Sequence, residues 1–149
     1  MTASEQTVPL AEPRLPSYVS GTATQPLLGD TIGTNLDRAM VRVGPEHEAL
    51  VECDTGRRFG YAELVAQVDA CALGLDALGV RKGDRVGIWA PNRPEWVLVQ
   101  YATARIGAIL VNINPSYRTD ELRYVLRQAG VRLLVAAEAF RSSPTCTEC

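Results

Sequence analysis

Ile32, Leu36, Ala39, Met40 and Val43 recur at helical spacing, which predicts a first helix over 31–42 ended by Gly44-Pro45. Residues 49–53 form a short apolar run. Asp54-Thr55-Gly56 is a tight-turn signal before 57–59, so a small β-hairpin is expected there. Leu64, Val68, Cys71, Leu75 and Leu78 then mark one face of a helix over 61–78, with Gly79 placed for a left-handed cap. Strands and helices alternate beyond this point. After the turn Lys82-Gly83-Asp84, residues 85–90 read as a strand. Asn92 is placed to cap the next helix, with Glu95 as its capping-box partner and Pro94 in the first turn. That helix runs to Ile106 and stops at Gly107. The unbroken apolar run 108–113 reads as a strand covered on both faces. Thr119 is expected to cap a further helix whose buried face is Leu122, Val125, Leu126 and Ala129. Gly130 ends it, and 131–136 form another strand.

This pattern implies an α/β fold: a partial doubly wound sheet, βαβαβ from about 85 to 136, preceded by helices and a short β-hairpin. Residues 1–30 are rich in Pro, Ser and Thr and read as an extended N-terminal arm. Residues 141–149 lose the apolar rhythm and read as an irregular tail.

With 149 residues, 46% of them hydrophobic and 21% charged, the chain has ordinary globular composition, which excludes disorder of the whole. A net charge of −2 and no basic stripe disfavour a general nucleic-acid binder. No apolar run approaches the ~18 residues of a membrane span. The first residues lack the positive and apolar regions of a secretory signal. Four cysteines in a core-forming chain fit a reduced, cytoplasmic protein better than a disulfide scaffold.

Candidate chemistry is sparse. His47 stands alone, whereas a triad or a metal site needs partners at defined geometry. Cys146 and Cys149 have the spacing of half a zinc or redox site, but a zinc site needs two more ligands. Cys71 belongs to a core face. Ser20-Gly21-Thr22-Ala23-Thr24 lacks the preceding strand, second glycine and lysine of a phosphate loop. One location has mild promise, because open α/β sheets bind ligands beyond the carboxyl ends of their strands. Asn92 and Asn114 fall there, and a helix cap and a turn explain them adequately.

The run Gly83-Asp84-Arg85-Val86-Gly87-Ile88-Trp89-Ala90-Pro91-Asn92, then Pro94-Glu95-Trp96, then Gly107-Ala108-Ile109-Leu110-Val111-Asn112-Ile113-Asn114-Pro115, resembles the N-terminal part of acyl-adenylate-forming, AMP-binding acyl-CoA synthetases. Tyr61-Ala62-Glu63-Leu64 resembles the start of the preceding helix in that family. Ser17-Tyr18-Val19-Ser20-Gly21 and Pro26-Leu27-Leu28-Gly29-Asp30-Thr31-Ile32-Gly33 resemble the entry segment of bacterial fatty-acid–CoA ligases.

The resemblance implies a two-step reaction for the full-length family. A carboxylate attacks the α-phosphate of ATP, giving an acyl-adenylate and pyrophosphate, and the thiol of coenzyme A then displaces AMP. ATP, Mg²⁺ and coenzyme A are the implied cofactors, and a fatty acid the implied substrate. The family's phosphate loop, Thr-Ser-Gly-Thr-Thr-Gly-x-Pro-Lys-Gly, its adenine and ribose contacts and its C-terminal lysine have no counterpart in this sequence. No catalytic, cofactor-binding or metal residue is therefore assigned to any position, and no cofactor is expected for this chain by itself. On this reading 31–140 is part of a family N-terminal domain, and 141–149 is out-of-frame sequence ending a truncated ligase. The chain alone is then inactive and loosely folded, and a separately encoded C-terminal portion is a candidate partner. The alternatives are a non-enzymatic α/β module that binds a nucleotide or a partner subunit, and a fragment of a ligase for another acid class.

Overall fold

The computed structural model describes residues 21, 24, 26–140 and 143–144. Most of the N-terminal arm and most of the tail, with Cys146 and Cys149, lie outside these residues. Helix α1 (Ile32–Val43) is capped by Thr31, whose hydroxyl accepts the Thr34 N–H at 3.1 Å. Strands β1 (Glu48–Val51) and β2 (Arg58–Gly60) form the expected antiparallel hairpin. Helix α2 (Tyr61–Ala77) follows. The parallel unit then comprises β3 (Arg85–Trp89), α3 (Pro94–Ile106), β4 (Ile109–Ile113), α4 (Thr119–Ala129) and β5 (Leu133–Ala136). A last antiparallel pair, β6 (Ala139–Phe140) with β7 (Ser143–Pro144), enters the segment read as an irregular tail.

The sheet order is β4-β3-β5, all parallel. The chain moves one way from β3 to β4 and back past β3 to reach β5. Right-handed crossovers in opposite directions must lie on opposite faces, and the packing agrees. Val86, Ile88 and Ala90 of one face meet Val99 and Ala102 of α3 and Ala72 and Leu75 of α2. Trp89 and Ile113 of the other face meet Leu122 of α4. A smaller core joins Leu36 of α1 to Leu64 and Val68 of α2. The structure is thus α/β with an open parallel sheet.

Several local expectations are corrected. The strand covered on both faces is β3, whereas β4 lies at an edge and leaves Ile109 49% exposed. Sequence order places β4 in the middle of the unit, and the reversal of direction moves it outside. On α2 the core residue is Ala72, Cys71 is half-buried, and Leu78 is 69% exposed. The helix has ended by Leu78. Gly79, at φ +85°, turns the chain so that Val80 enters the core instead. The Val80 N–H bonds the Leu75 carbonyl and the Gly79 N–H bonds the Asp76 carbonyl, which is a Schellman ending. On α1, Gly33 and Leu36 are buried while Ile32 is exposed. The stem of Arg105 lies over Gly33 so closely that an added Cβ would meet Arg105 Cδ at 3.2 Å.

The caps of α3 and α4 each fall elsewhere than expected. Pro94 occupies the first helical position and forces the residue before it to be extended, so Arg93, not Asn92, is the cap residue. Glu121 accepts the Arg118 N–H at 2.7 Å, which makes Arg118 the cap residue and Thr119 the first residue of α4.

Candidate functional site

Adjacent parallel strands whose following helices leave to opposite faces create a crevice at their carboxyl ends. β3 and β4 meet this condition, since α3 and α4 lie on opposite faces. Trp89 ends β3 opposite Ile113 of β4, so the sequence-selected Asn92 and Asn114 follow at the same end of the sheet. The Trp89 side chain packs at this end against Ile113 and Leu122, only 4% exposed, and its indole Nε1–H donates to the Asn114 carbonyl at 3.1 Å. Trp89 also accepts the Ala137 N–H on its backbone carbonyl at 3.0 Å, joining the end of β5 to the same point. Asn114 Oδ1 accepts the Ser116 N–H at 2.9 Å, a turn contact that occupies this oxygen.

Asn92 lines a groove of about 410 Å³ between the hairpin and the start of α3. Leu50, Val51, Pro94, Trp96 and Val97 supply its apolar walls. An ion network closes its rim. Arg93 Nε donates to Glu95 at 2.6 Å, and Arg57 Nε donates to Glu52 at 2.8 Å. Arg57 also lies 3.5 Å from the second Glu95 oxygen. Hydrogen bonds from Arg93 hold the Glu95 carboxyl below its ordinary range, and those from Thr55 and Arg57 do the same for Glu52. Both carboxylates are therefore engaged as acceptors, which suits a brace between hairpin and helix and not a general base.

The other candidates stay apart. His47 is exposed in the turn after α1, where its N–H donates to Gly44 and its carbonyl accepts the Tyr61 N–H at 3.0 Å. Its ring lies 6.5 Å from that of Tyr61. Cys53 is exposed on the hairpin. Burial pushes the Cys71 thiol up, the opposite of what a nucleophile requires. Of Ser20-Gly21-Thr22-Ala23-Thr24, only Gly21 and Thr24 are described, and both are exposed. Among the described residues no group of three His, Cys, Asp or Glu side chains could hold a metal ion.

One polar cluster has no local sequence signal. Arg105 on α3 grips Asp37 of α1 in bidentate fashion, at 2.6 and 2.5 Å. Its Nε lies 3.0 Å from Asp69 Oδ1 of α2, a charge contact without hydrogen-bond alignment. One guanidinium thereby ties three helices. Hydrogen bonding to Arg105 holds the Asp37 carboxyl below its ordinary value. These partners are far apart in sequence, so no local pattern announces them.

Among the described residues, Trp89 packs at the crevice between β3 and β4, the carboxylates beside Asn92 are paired with arginines, and no group of acidic, His or Cys side chains could hold a metal ion. No residue here is therefore assigned to the nucleotide, Mg²⁺ or coenzyme A implied by the resemblance.

Residues 37–148 match the family model described as AMP-binding enzyme, a match that runs into the segment read as a tail. The chain is 45% identical over 126 residues to the mitochondrial medium-chain acyl-CoA ligase ACSF2 of Macaca fascicularis, covering 85% of this chain and 20% of that protein. It is 38% identical over 117 residues to the putative acyl-CoA synthetase YngI of Bacillus subtilis, covering 78% of this chain and 21% of that protein. The inhibitor-bound N-terminal domain of FACL13 from Mycobacterium tuberculosis superposes with a TM-score of 0.68 at 35% identity, covering 71% of this chain and 26% of that one. The chain thus spans about a fifth of the length of the curated relatives it matches. No described helix is long and apolar enough to cross a membrane. The extent of the family match, together with the likeness to solved ligase N-terminal domains, shows that this chain belongs to the AMP-binding enzyme family.

Proposed function

We propose that this chain is the opening part of the N-terminal domain of an ATP-dependent acid–CoA ligase acting on fatty acids. The strongest support is the 45% identity to a medium-chain acyl-CoA ligase across most of the chain. The entry segment Pro26-Leu27-Leu28-Gly29-Asp30-Thr31 favours the fatty-acid branch over aryl acids. ATP, Mg²⁺ and coenzyme A serve the whole enzyme, and their contacts come from segments outside 1–149. The contribution of this chain is structural: residues 31–140 form one layered corner of the domain. The free thiols of Cys53 and Cys71 fit a reduced, cytoplasmic setting.

Purified chain incubated with ATP, Mg²⁺, a fatty acid and coenzyme A is expected to release no AMP above background. AMP release by the chain alone overturns the scaffold role. A polypeptide joining this chain to the later family segments is expected to release AMP with fatty acids. Release with aryl acids only would move the chain to another acid class.

A further inference from the structure

The groove between the hairpin and α3 has apolar walls, Leu50, Val51, Pro94, Trp96 and Val97, around a volume of about 410 Å³. Trp96 is only half-buried, so part of its surface stays accessible. Asp54 and Asn92 line the same groove. Among the described residues neither of these side chains has a hydrogen-bond or ion-pair partner. The other charged groups there, Glu52 and Arg93, are paired within the rim network. The groove therefore offers an aromatic surface, one unpaired carboxylate and one unpaired carboxamide. An apolar concavity with a few convergent polar groups is the usual make-up of a binding site.

The sequence of the N-terminal arm supplies the complement. Pro13-Arg14-Leu15-Pro16 is a P-x-x-P segment, a spacing that favours polyproline II. Aromatic-lined grooves take such segments because little entropy is lost on binding. Arg14 is the only cation among residues 1–30, and Asp54 is the unpaired charge that lines the groove. Polyproline II leaves its backbone carbonyls unbonded, and the Asn92 carboxamide can donate to one. Reach is not limiting. Ile32, the first residue of α1, shares a second groove with Trp96, and residues 17–31 can span up to about 50 Å. Tethering presents the segment at roughly millimolar effective concentration, so a weak contact suffices, an advantage that a free peptide lacks. We propose that Pro13-Arg14-Leu15-Pro16 docks into the groove of its own chain, with its proline rings on Trp96 and Arg14 paired with Asp54.

The chain has two tryptophans, which gives the test an internal control. In nuclear magnetic resonance spectra of the whole chain, the Trp96 indole is expected to show nuclear Overhauser contacts to the rings of Pro13 and Pro16. Pro13→Ala combined with Pro16→Ala, and separately Arg14→Glu, are expected to abolish these contacts and to move the Trp96 indole and Asn92 carboxamide resonances. The Trp89 indole, buried against Ile113 and Leu122, is expected to stay in place and so to report an intact fold. Arg14→Glu combined with Asp54→Arg is expected to restore the contacts, which a general disturbance of the chain would not do. Failure of that exchange to restore them overturns the pairing of Arg14 with Asp54. Contacts that fade on dilution would place the arm of a second copy in the groove and overturn docking within one chain. Absence of the contacts in the parent, or Trp96 and Asn92 resonances unmoved by the arm variants, overturns the proposal outright.

Discussion

The carboxyl end of the sheet and its lateral β4 edge reverse the usual arrangement of an α/β domain. In an open parallel sheet the carboxyl ends are ordinarily where ligands enter, and the strand edges are ordinarily covered. Here Trp89 is buried at the carboxyl end and bonded to the Asn114 carbonyl, while among the described residues no strand pairs with the outer edge of β4, beside exposed Ile109. Family membership and possession of a reactive site are separate matters, and each needs its own evidence.

Removing the closure should have the largest effect. Trp89→Ala deletes a buried aromatic and its hydrogen bond, and is expected to cost roughly 3–5 kcal/mol in urea denaturation, as large-to-small aromatic substitutions do. Trp89→Phe keeps most of the filling and loses the indole donor, so about 1 kcal/mol is expected. A Trp89→Ala protein as stable as the parent would show that the carboxyl end is not sealed by this side chain.

An acid titration tests the remainder of the molecule without touching either region. Asp37 and Glu95 are held below their ordinary values by hydrogen bonds from Arg105 and Arg93, and Glu52 by those from Thr55 and then Arg57. A carboxyl depressed in the folded state contributes stability that is present above its unfolded value and is lost as pH falls through the folded value. The melting temperature is therefore expected to hold from neutral pH to about 5 and to decline below about 4, with a smaller decline in high salt. A melting temperature that rises on acidification would contradict the arginine pairings.

The smallest effect on stability is expected at the open edge. Asn112→Lys alters an exposed position and should change unfolding free energy by no more than about 0.5 kcal/mol. It is nonetheless expected to slow concentration-dependent aggregation followed by light scattering, because a charge on an edge strand opposes further pairing. Unchanged aggregation would place the sticky surface elsewhere.

Much of the fold was legible because the signals are local. Leu64, Val68 and Leu75 announce α2, and Gly79, Gly107 and Gly130 mark helix ends where the chain turns left-handed. The block from Gly83 to Pro115 carries the family because its motifs coincide in order and spacing. Strand order was not legible. β3 and β4 are both short apolar runs, and only the direction of the crossovers separates the buried strand from the edge. The bond from Trp89 to Asn114 and the grip of Arg105 on Asp37 join residues far apart in sequence, so periodicity carries no trace of them. The cap positions of α3 and α4 lie one residue from those that the side-chain preferences of Asn92 and Thr119 predict, because Pro94 and Glu121 fix Arg93 and Arg118 there.

Residue-resolved amide hydrogen exchange on the monomeric chain tests the closed-end, open-edge arrangement most directly. Val111 and Ile113 are expected to exchange slowly, because their N–H groups turn toward β3, and Leu110 and Asn112 to exchange at rates close to those of an unprotected chain. Equal protection of all four amides in the monomer would contradict the account, since it would mean that the edge of β4 is already covered.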